Sequence, residues 1–209
     1  MRDLAVYKSR LCDIGKRMYQ REFVAANDGN ISCRIGDSEI LITPTGVSKG
    51  FMTPEMIVRL NLDGEVLEGA MKPSSETAMH VQLYRACDSI GAIVHAHPLY
   101  ATLCAIIGRP LDQKLVPEAI LLLGSVPVAK YGTPSTDELP NEVKNYIHDH
   151  KAVLLANHGA LSWGKDLEEA YLTMERVEFM ARLAIMTKDL DGVREISPDC
   201  VQKLMDLDK

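Results

Sequence analysis

The chain has 209 residues, of which 46% are hydrophobic and 25% are charged, a composition that excludes extensive disorder. Its formal net charge of −6 argues against a nucleic acid as partner. An acidic chain can still bind a small anion, because backbone N–H groups and helix ends do so whatever the net charge. The length suits one well-buried core, so we expect residues 1–209 to form a single domain.

The cysteines and the amino-terminal segment indicate the compartment. Five widely spaced cysteines form no Cys-x-x-Cys pair, so neither a disulfide framework nor a thiolate zinc site is indicated. Residues 1–23 carry charges throughout and lack the apolar core of a signal peptide. No apolar run reaches the roughly 18 residues of a membrane span. We therefore expect a reduced, cytoplasmic protein that contacts no membrane.

The first half of the chain alternates between helix and strand patterns. Residues 2–24 place apolar side chains at helical spacing among charged ones, which predicts an amphipathic helix. Two short strands are predicted at 31–35 and 39–43, separated by a Gly-Asp-Ser turn. A hairpin is predicted over 58–69, around an Asp-Gly pair. A helix is then predicted over 74–87, after a proline.

The second half continues in the same way. It contains no repeat and no linker, so the whole chain reads as one α/β domain. The patterns predict a strand at 92–97, a helix at 100–106, strand material within 119–132, a helix over 135–150 capped near Ser135, a strand at 152–159 and a long helix over 165–189.

Histidines give the sharpest chemical signal. His95 and His97 follow an apolar strand with one residue between them, so their side chains point to the same face, roughly 7 Å apart. His158 ends another apolar strand. Three imidazoles can hold a zinc ion at about 2.0–2.1 Å and leave one coordination position open for a substrate. The alternative is an ordinary polar strand end whose imidazoles bond backbone carbonyls.

The segment 72–77, "KPSSET", is the second signal. Ser74 and Ser75 precede Glu76 at a predicted helix start, where hydroxyl and free N–H groups can bind an anion. Plain N-capping, with Glu76 complementing the helix dipole, is the alternative. His80 follows four residues later on the same helix face, where we favour a supporting role over metal ligation.

Two glycine-containing turns, "DGN" and "TPTG", form the third signal. They carry Asn30 and Thr45, and such turns present backbone N–H groups in a geometry that suits a phosphate. The same residues are equally suited to reversing the chain direction. These turns alone therefore leave both interpretations open.

Taken in chain order, the motifs "GNIS", "TPTG", "KPSSE", "HAH" and "ANHG" resemble those of the class II aldolase/adducin-head family. The resemblance runs from about residue 5 to about residue 190. It implies an α/β fold: a single-domain three-layer α/β/α sandwich with a central, largely antiparallel sheet. It also implies a homotetramer whose active sites lie between neighbouring subunits.

The family's functional residues carry over by position. The resemblance implies that His95, His97 and His158 bind Zn²⁺, with another divalent transition metal possible. It implies that Glu76 is both a metal ligand and the group that transfers a proton. It implies that the substrate's phosphate is bound by three pairs of residues: Gly29 and Asn30, Thr45 and Gly46, and Ser74 and Ser75.

The activity that the resemblance implies is a zinc-dependent aldolase. Such an enzyme reversibly cleaves a small ketose 1-phosphate, of the L-fuculose 1-phosphate kind, into dihydroxyacetone phosphate and an aldehyde. Epimerase, dehydratase and decarboxylase activities on the same metal site are alternatives within the family. A metal-free adducin-like interaction module is an alternative from another class, but the intact set of three histidines and Glu76 speaks against it.

The chain departs from the family pattern at two tyrosines. The fuculose enzymes place a catalytic tyrosine in the segment corresponding to 116–124, where this chain has Glu118. They also use a carboxy-terminal tyrosine, whereas the last tyrosine here is Tyr171. We therefore expect Glu118 to be the acid for the aldehyde oxygen, as a partly buried carboxyl with a raised pKa. The alternative is that Glu118 forms a salt bridge at the rim of the site.

Overall fold

The structure, a computed structural model, describes residues 4–207. Residues 2 and 3 of the predicted first helix lie outside this range. The α-helices within it are α1 (Leu4–Gln20), α2 (Thr77–Ala86), α3 (Leu99–Ile106), α4 (Glu138–Val143), α5 (Leu167–Met186) and α6 (Pro198–Leu207). The strands are β1 (Asn30–Arg34), β2 (Glu39–Ile42), β3 (Val58–Asn61), β4 (Val66–Glu68), β5 (Ala92–Ala96), β6 (Val128–Ala129), β7 (Ala152–Leu155) and β8 (Gly159–Gly164). Short helical turns lie at Lys49–Phe51, Pro54–Met56 and Ala119–Leu123.

These strands form one eight-stranded sheet in the order β4-β3-β2-β1-β5-β8-β7-β6. Every neighbouring pair is antiparallel except β6 and β7, which are parallel. The largely antiparallel sheet confirms the architecture expected from the sequence.

Helices cover both faces of the sheet because the central strands are apolar on both sides. On β5, Ala92 and Val94 pack into a core shared with α1, α3 and α5. Ile93, between them, points to the opposite face and packs with residues of α2 and α4. This alternation follows the two-residue period of a strand, and it produces the three-layer α/β/α sandwich.

The register of the sheet brings five chain segments together at one end of the central strands. Asn30, which begins β1, lies opposite His95, near the end of β5. Ala96 lies opposite Ala160, so β8 begins where β5 ends. A bridge between Pro44 and Pro73 brings the turn after β2 next to the segment that leads into α2. The residues at this end of the strands include those of the motifs found in the sequence.

The strand material predicted within 119–132 is mostly wrong. Ala119–Leu123 forms a π-helical turn, which Gly124 ends at a φ of +75°. Only Val128–Ala129 is a strand. A short apolar run does not by itself distinguish a strand from a buried helical turn, so its environment decides.

The helix predicted over 135–150 is shorter than expected. Helix α4 covers only Glu138–Val143, and its first cap is Asp137 rather than Ser135. Ser135 has a φ of +65°, a left-handed conformation that cannot begin a helix. The sequence patterns predict neither β8 nor α6, both of which the structure contains. None of the helices within residues 4–207 is long and apolar enough to cross a membrane.

Candidate functional site

Three histidines meet at the end of the central strands just described. Strand β5 carries His95, the next turn carries His97, and the β7–β8 turn carries His158. The distances between ring centroids are 4.9 Å for His95 and His97, 4.7 Å for His95 and His158, and 5.0 Å for His97 and His158. One ring nitrogen from each lies within 4.8 Å of the other two, which is close enough for one metal ion to bind all three.

Glu76 completes this cluster from the start of α2. Its Oε2 atom lies 3.2 Å from His95 Nε2, and its Oε1 atom lies 3.7 Å from His158 Nε2. The side chain is almost fully buried. Glu76 is the cap residue of α2, so the helix start aims this carboxylate at the imidazoles.

The hydrogen bonds of His95 favour a bound cation at the cluster. His95 Nδ1 lies 2.9 Å from the carbonyl oxygen of Ala160, which only accepts, so Nδ1 carries the proton. Burial lowers the pKa of His95, so the ring is neutral and its Nε2 presents a lone pair. That lone pair faces Glu76 Oε2 and, at 3.1 Å, His97 Nε2. Converging electron pairs of this kind are stabilised by a bound metal ion.

Two further atoms fit the same interpretation. Glu76 Oε1 and His158 Nδ1 are buried and have no hydrogen-bond partner among residues 4–207. A buried carboxylate oxygen without a partner is costly, and a metal ligand bond would satisfy it. Three imidazoles and one carboxylate are a donor set that Zn²⁺ and other divalent transition metals accept.

The charge states at the cluster suit metal binding. Burial lowers the pKa of His97 to about 4 and also lowers that of His158. For Glu76 burial acts to raise the pKa, but the attraction of His95, the hydrogen bond from Asn30 and the attraction of His158 outweigh it and lower the pKa to about 2. At neutral pH the imidazoles are therefore neutral and the carboxylate is charged, as metal ligands must be.

A cleft of about 230 Å³ opens beside the cluster. Five of the six predicted phosphate residues line it, and Gly46 lies next to Thr45 with a φ of +75°. The lining residues are Asn27, Asp28, Gly29, Asn30, Pro44, Thr45, Lys49, Ser74, Ser75, Glu76, His97, Pro134, Ser135 and His158. The structure therefore brings the three motif segments and two of the three histidines, His97 and His158, around one cavity.

Gly29 shows why the first turn needs glycine. Its φ is +72°, and a Cβ there would lie 2.6 Å from Val24 Cγ1 and 2.9 Å from the carbonyl oxygen of His95. Any side chain would push the turn away from β5. The close approach of the turn to β5 therefore depends on this glycine.

Lys49 is a cleft residue that the sequence analysis missed. Its side chain is buried, and its Nζ donates to the carbonyl oxygens of Asn27, at 2.9 Å, and Val47, at 2.7 Å. Burial lowers its pKa to about 8, although Asp28 acts in the opposite direction. The lysine thus joins the loop before β1 to the loop after β2. Nothing in the sequence distinguishes it from a surface lysine.

Asp28 was also missed. Its carboxylate lies 3.7 Å from His97 Nδ1, on the side of the ring away from His95. A carboxylate in this position orients a ligating imidazole and increases its basicity. The sequence predicts the Asp28-Gly29-Asn30 segment as a turn that suits a phosphate, and nothing in it indicates a contact between Asp28 and His97.

Glu118 is not brought to this cleft within one chain. It is exposed, immediately before the π-helical turn, and it is not among the residues that line the cavity. The partial burial expected for it is therefore not found in the single chain. Its role as an acid stays a prediction.

Residues 9–185 match the family model described as the Class II Aldolase and Adducin N-terminal domain. The chain belongs to this family. The resemblance inferred from the five motifs is thereby confirmed, and so is the fold that it implied. Class II aldolases depend on a metal, and the cluster of His95, His97 and His158 supplies a group that could bind one.

Named relatives within the class II aldolase family differ in activity. An L-fuculose phosphate aldolase of Methanococcus maripaludis is 38% identical over 177 residues, covering 85% of this chain and 95% of that protein. A 3-oxo-tetronate 4-phosphate decarboxylase of Haemophilus influenzae is 34% identical, covering 88% of each chain. The solved structure of an L-fuculose 1-phosphate aldolase superimposes with a TM-score of 0.87 at 30% identity, covering 96% of this chain and 94% of that one. The chain is therefore a lyase of the class II aldolase type.

Proposed function

We propose that the chain is a zinc-dependent aldolase that reversibly cleaves a small ketose 1-phosphate into dihydroxyacetone phosphate and an aldehyde, with L-fuculose 1-phosphate as the model substrate. The observation that carries this proposal is the convergence of three imidazoles and the Glu76 carboxylate at the wall of a polar cleft. The L-fuculose phosphate aldolase relatives support it.

We propose that His95, His97, His158 and Glu76 hold the metal. When bound, the metal supplies Lewis-acid polarisation of the substrate's carbonyl oxygen. The neutral imidazoles and the charged carboxylate support this assignment, since no ligand has to lose a proton first. Zn²⁺ is our choice of metal because the donors are mainly nitrogen, and another divalent transition metal would fit the same set.

Glu76 is also our candidate for moving a proton at C3 of the substrate. During cleavage the electrons of the C3–C4 bond stay on the dihydroxyacetone phosphate fragment, and C3 must then gain a proton. Glu76 Oε1 is buried and lacks a hydrogen-bond partner among the described residues, so it can carry out this transfer when it is not bound to the metal. In the condensation direction the same atom removes the C3 proton.

We propose that the phosphate group binds in the 230 Å³ cleft, against the backbone and side chains of Gly29, Asn30, Thr45, Gly46, Ser74 and Ser75. The buried ammonium group of Lys49 adds a positive charge to this otherwise neutral set. These contacts would hold the reacting carbons at a fixed distance from the metal. Their clustering around one cavity is the support for the assignment.

Glu118 is our candidate to take the proton from the C4 hydroxyl during cleavage and to return it during condensation. Because Glu118 is exposed, this role requires a neighbouring subunit, and we propose a homotetramer with active sites at its interfaces. The exposed apolar residues Leu99, Leu103 and Ile106 on α3 support an assembly. We also propose that residues 1–209 form one class II aldolase/adducin-like domain, which the single sheet supports.

The second candidate function is decarboxylation of a 3-oxo acid phosphate. The decarboxylase of Haemophilus influenzae supports it, and so does the exposure of Glu118, because loss of carbon dioxide requires no acid for an aldehyde oxygen. Epimerase and dehydratase chemistry would use the same metal site. A metal-free interaction module would leave the buried Glu76 and its histidines without a purpose.

The deciding experiment combines elemental analysis with product detection on the purified chain. We expect about one metal ion per chain, and release of dihydroxyacetone phosphate from at least one member of a panel of ketose 1-phosphates. The same panel should contain 3-oxo acid 4-phosphates, with detection of carbon dioxide. Because decarboxylation of a 3-oxo-tetronate 4-phosphate also leaves dihydroxyacetone phosphate, the substrate and the second product separate the two reactions. Carbon dioxide from the 3-oxo acid phosphates, with no aldehyde released from any ketose 1-phosphate, would overturn the aldolase assignment in favour of the decarboxylase. A chain that purifies without metal and turns over no substrate would support the interaction module.

A further inference from the structure

A buried chain of hydrogen bonds runs from Glu76 into the core between β1 and α2. Asn30 Nδ2 lies 2.8 Å from Glu76 Oε2, and Asn30 Oδ1 lies 2.5 Å from His80 Nε2. His80 Nδ1 lies 2.6 Å from Ser32 Oγ, which lies 2.8 Å from the hydroxyl of Tyr84. The four residues behind Glu76 are at most 3% exposed.

The direction of every hydrogen bond in this series follows from its Glu76 end. The carboxylate of Glu76 only accepts, so the atom of Asn30 beside it is the amide nitrogen. The Asn30 oxygen then points at His80 and accepts, so His80 Nε2 must carry a proton. The Nδ1 atom of the neutral ring is therefore an acceptor.

The remaining two bonds are then fixed as well. His80 Nδ1 accepts from the Ser32 hydroxyl, and the Ser32 oxygen accepts from the hydroxyl of Tyr84. Reversing any single group would place two acceptors or two donors against each other inside the core, where water cannot compensate. This series of hydrogen bonds therefore allows one orientation of the Asn30 amide.

We propose that His80 is a positioning residue for this enzyme, which acts through Asn30 to hold the Glu76 carboxylate in its working orientation. The inference rests on the proposed role of Glu76 at the metal. Asn30 occupies Glu76 Oε2 and leaves Oε1 free. Without the proton on His80 Nε2, the Asn30 amide could turn over and present its oxygen to the carboxylate, which would push Glu76 out of place.

Ser32 and Tyr84 belong to the same device. They contact neither the cleft nor the histidines that face it, yet the Ser32 hydroxyl, which accepts from Tyr84, donates to His80 Nδ1 and so supports the ring form with its proton on Nε2. Strand β1 thus connects the cleft to the core through two residues, Asn30 and Ser32, on the same side of the strand. If the network only stabilised the core, metal binding would not depend on which nitrogen of His80 carries the proton.

The first test reads the His80 ring directly in the unaltered protein. Nitrogen-15 NMR of the imidazoles should show His80 with a protonated Nε2 and a bare Nδ1. A protonated Nδ1 with a bare Nε2 would overturn the inference, because Asn30 Oδ1 would then face a lone pair. This measurement requires neither substrate nor metal.

The second test measures metal affinity by competition with a chelator. His80→Leu removes the donor to Asn30 and should weaken metal affinity by about 10–100-fold, the usual effect of losing a partner behind a metal ligand. His80→Gln places an amide N–H near the position of Nε2 and should restore most of the affinity. Equal affinity of His80→Leu and the parent would overturn the inference.

Ser32→Ala and Ser162→Ala form a matched pair that separates positioning from core stability. Both serines are fully buried strand residues. Ser162 Oγ donates to the carbonyl oxygen of Ala170 and takes no part in the hydrogen bonds that lead to Glu76. Both variants should lower Tm, but only Ser32→Ala should weaken metal binding. Equal metal affinity in the two variants would contradict the proposal, even if His80→Leu fails to fold.

The outcomes also distinguish this inference from the proposed function. If His95→Ala abolishes metal binding while His80→Leu and Ser32→Ala leave it unchanged, the metal site stands and only the positioning role fails. If His95→Ala retains its metal, the proposed site itself is wrong.

Discussion

Asn30 and His95 are direct partners in the antiparallel register of β1 and β5, and both contact the Glu76 carboxylate. One strand begins with a residue that lines the cleft, and its neighbour carries a candidate metal ligand next to its last residue. Any shift of this register by one residue would turn one of these side chains to the opposite face of the sheet. The site therefore depends on the register of two central strands, where the sheet is covered on both sides.

The metal ligands are tested by removing one imidazole at a time. We expect His95→Ala, His97→Ala and His158→Ala each to lose stoichiometric metal and turnover, because the remaining ligands no longer enclose the ion. Elemental analysis and the aldolase assay measure both. His148→Ala is the control, since His148 is exposed and lies outside the cluster. A cluster variant that keeps its metal and full activity would remove that residue from the site.

The phosphate assignment is tested at Ser75. Replacing it with alanine removes a hydroxyl contact that acts equally in the ground state and the transition state, so KM should rise more than kcat falls. Steady-state kinetics on the phosphorylated sugar measure the effect. The unphosphorylated sugar serves as the control, since its weak turnover should be the same for the parent and the variant. Unphosphorylated sugar cleaved as well as the phosphorylated one by the parent would contradict the assignment.

Lys49 gives the cleft a dependence on pH. Its pKa of about 8 means that its positive charge disappears as the pH rises through that value. We expect the affinity of the parent for inorganic phosphate to fall more steeply between pH 7 and pH 9, flanking that pKa, than that of Lys49→Met. Calorimetric titration measures this difference. Lys16→Met, at an exposed lysine on α1, should behave like the parent.

Lys49 also makes the free energy of unfolding depend on pH. Its folded pKa of about 8 lies below the ordinary lysine value of 10.5, so the unfolded chain binds more protons between these two values. Stability therefore rises with pH across this window, by the contribution of Lys49. The free energy of unfolding of Lys49→Met should lack this rise. Identical slopes for the parent and the variant would show that Lys49 keeps an ordinary pKa in the folded chain.

Glu118→Gln tests whether the exposed carboxyl acts on the aldehyde oxygen. The substitution keeps the shape and removes the carboxylate that would take the proton of the C4 hydroxyl, so cleavage should slow by about 10²–10⁴-fold while metal content stays unchanged. Exchange of the C3 proton of dihydroxyacetone phosphate should survive, because that step requires only the metal and Glu76. Cleavage at the parental rate would assign Glu118 to the rim and leave the acid to a water molecule or to a tyrosine such as Tyr131, which is exposed.

Gly29→Ala tests the close approach of the first turn to β5. The added methyl group would collide with Val24 and the backbone of His95 at a positive φ, so we expect a loss of about 1–3 kcal/mol in the free energy of unfolding. Gly36→Ala is the matched control, because Gly36 has open space around it and no positive φ. Denaturant titration measures both variants. Equal losses in the two would show that the turn adjusts without strain.

The sequence by itself determined what local rules can determine. The two-residue period of a strand predicts that His95 and His97 share a face, and their rings do meet. The Ser-Ser-Glu pattern predicts a helix start, and α2 begins right after Glu76. The ordered motifs were sufficient to predict the family, because their residue types and their order along the chain can be identified without the fold.

Only the tertiary structure decided which of these local pieces meet. The approach of His158 to His95 depends on β8 pairing with β5, a contact between residues far apart in the chain. The burial of Lys49, the hydrogen-bonded chain through His80 and the exposure of Glu118 depend in the same way on long-range packing. A sequence pattern shows the face on which a side chain lies, whereas the strand register and the packed helices determine what lies opposite that face.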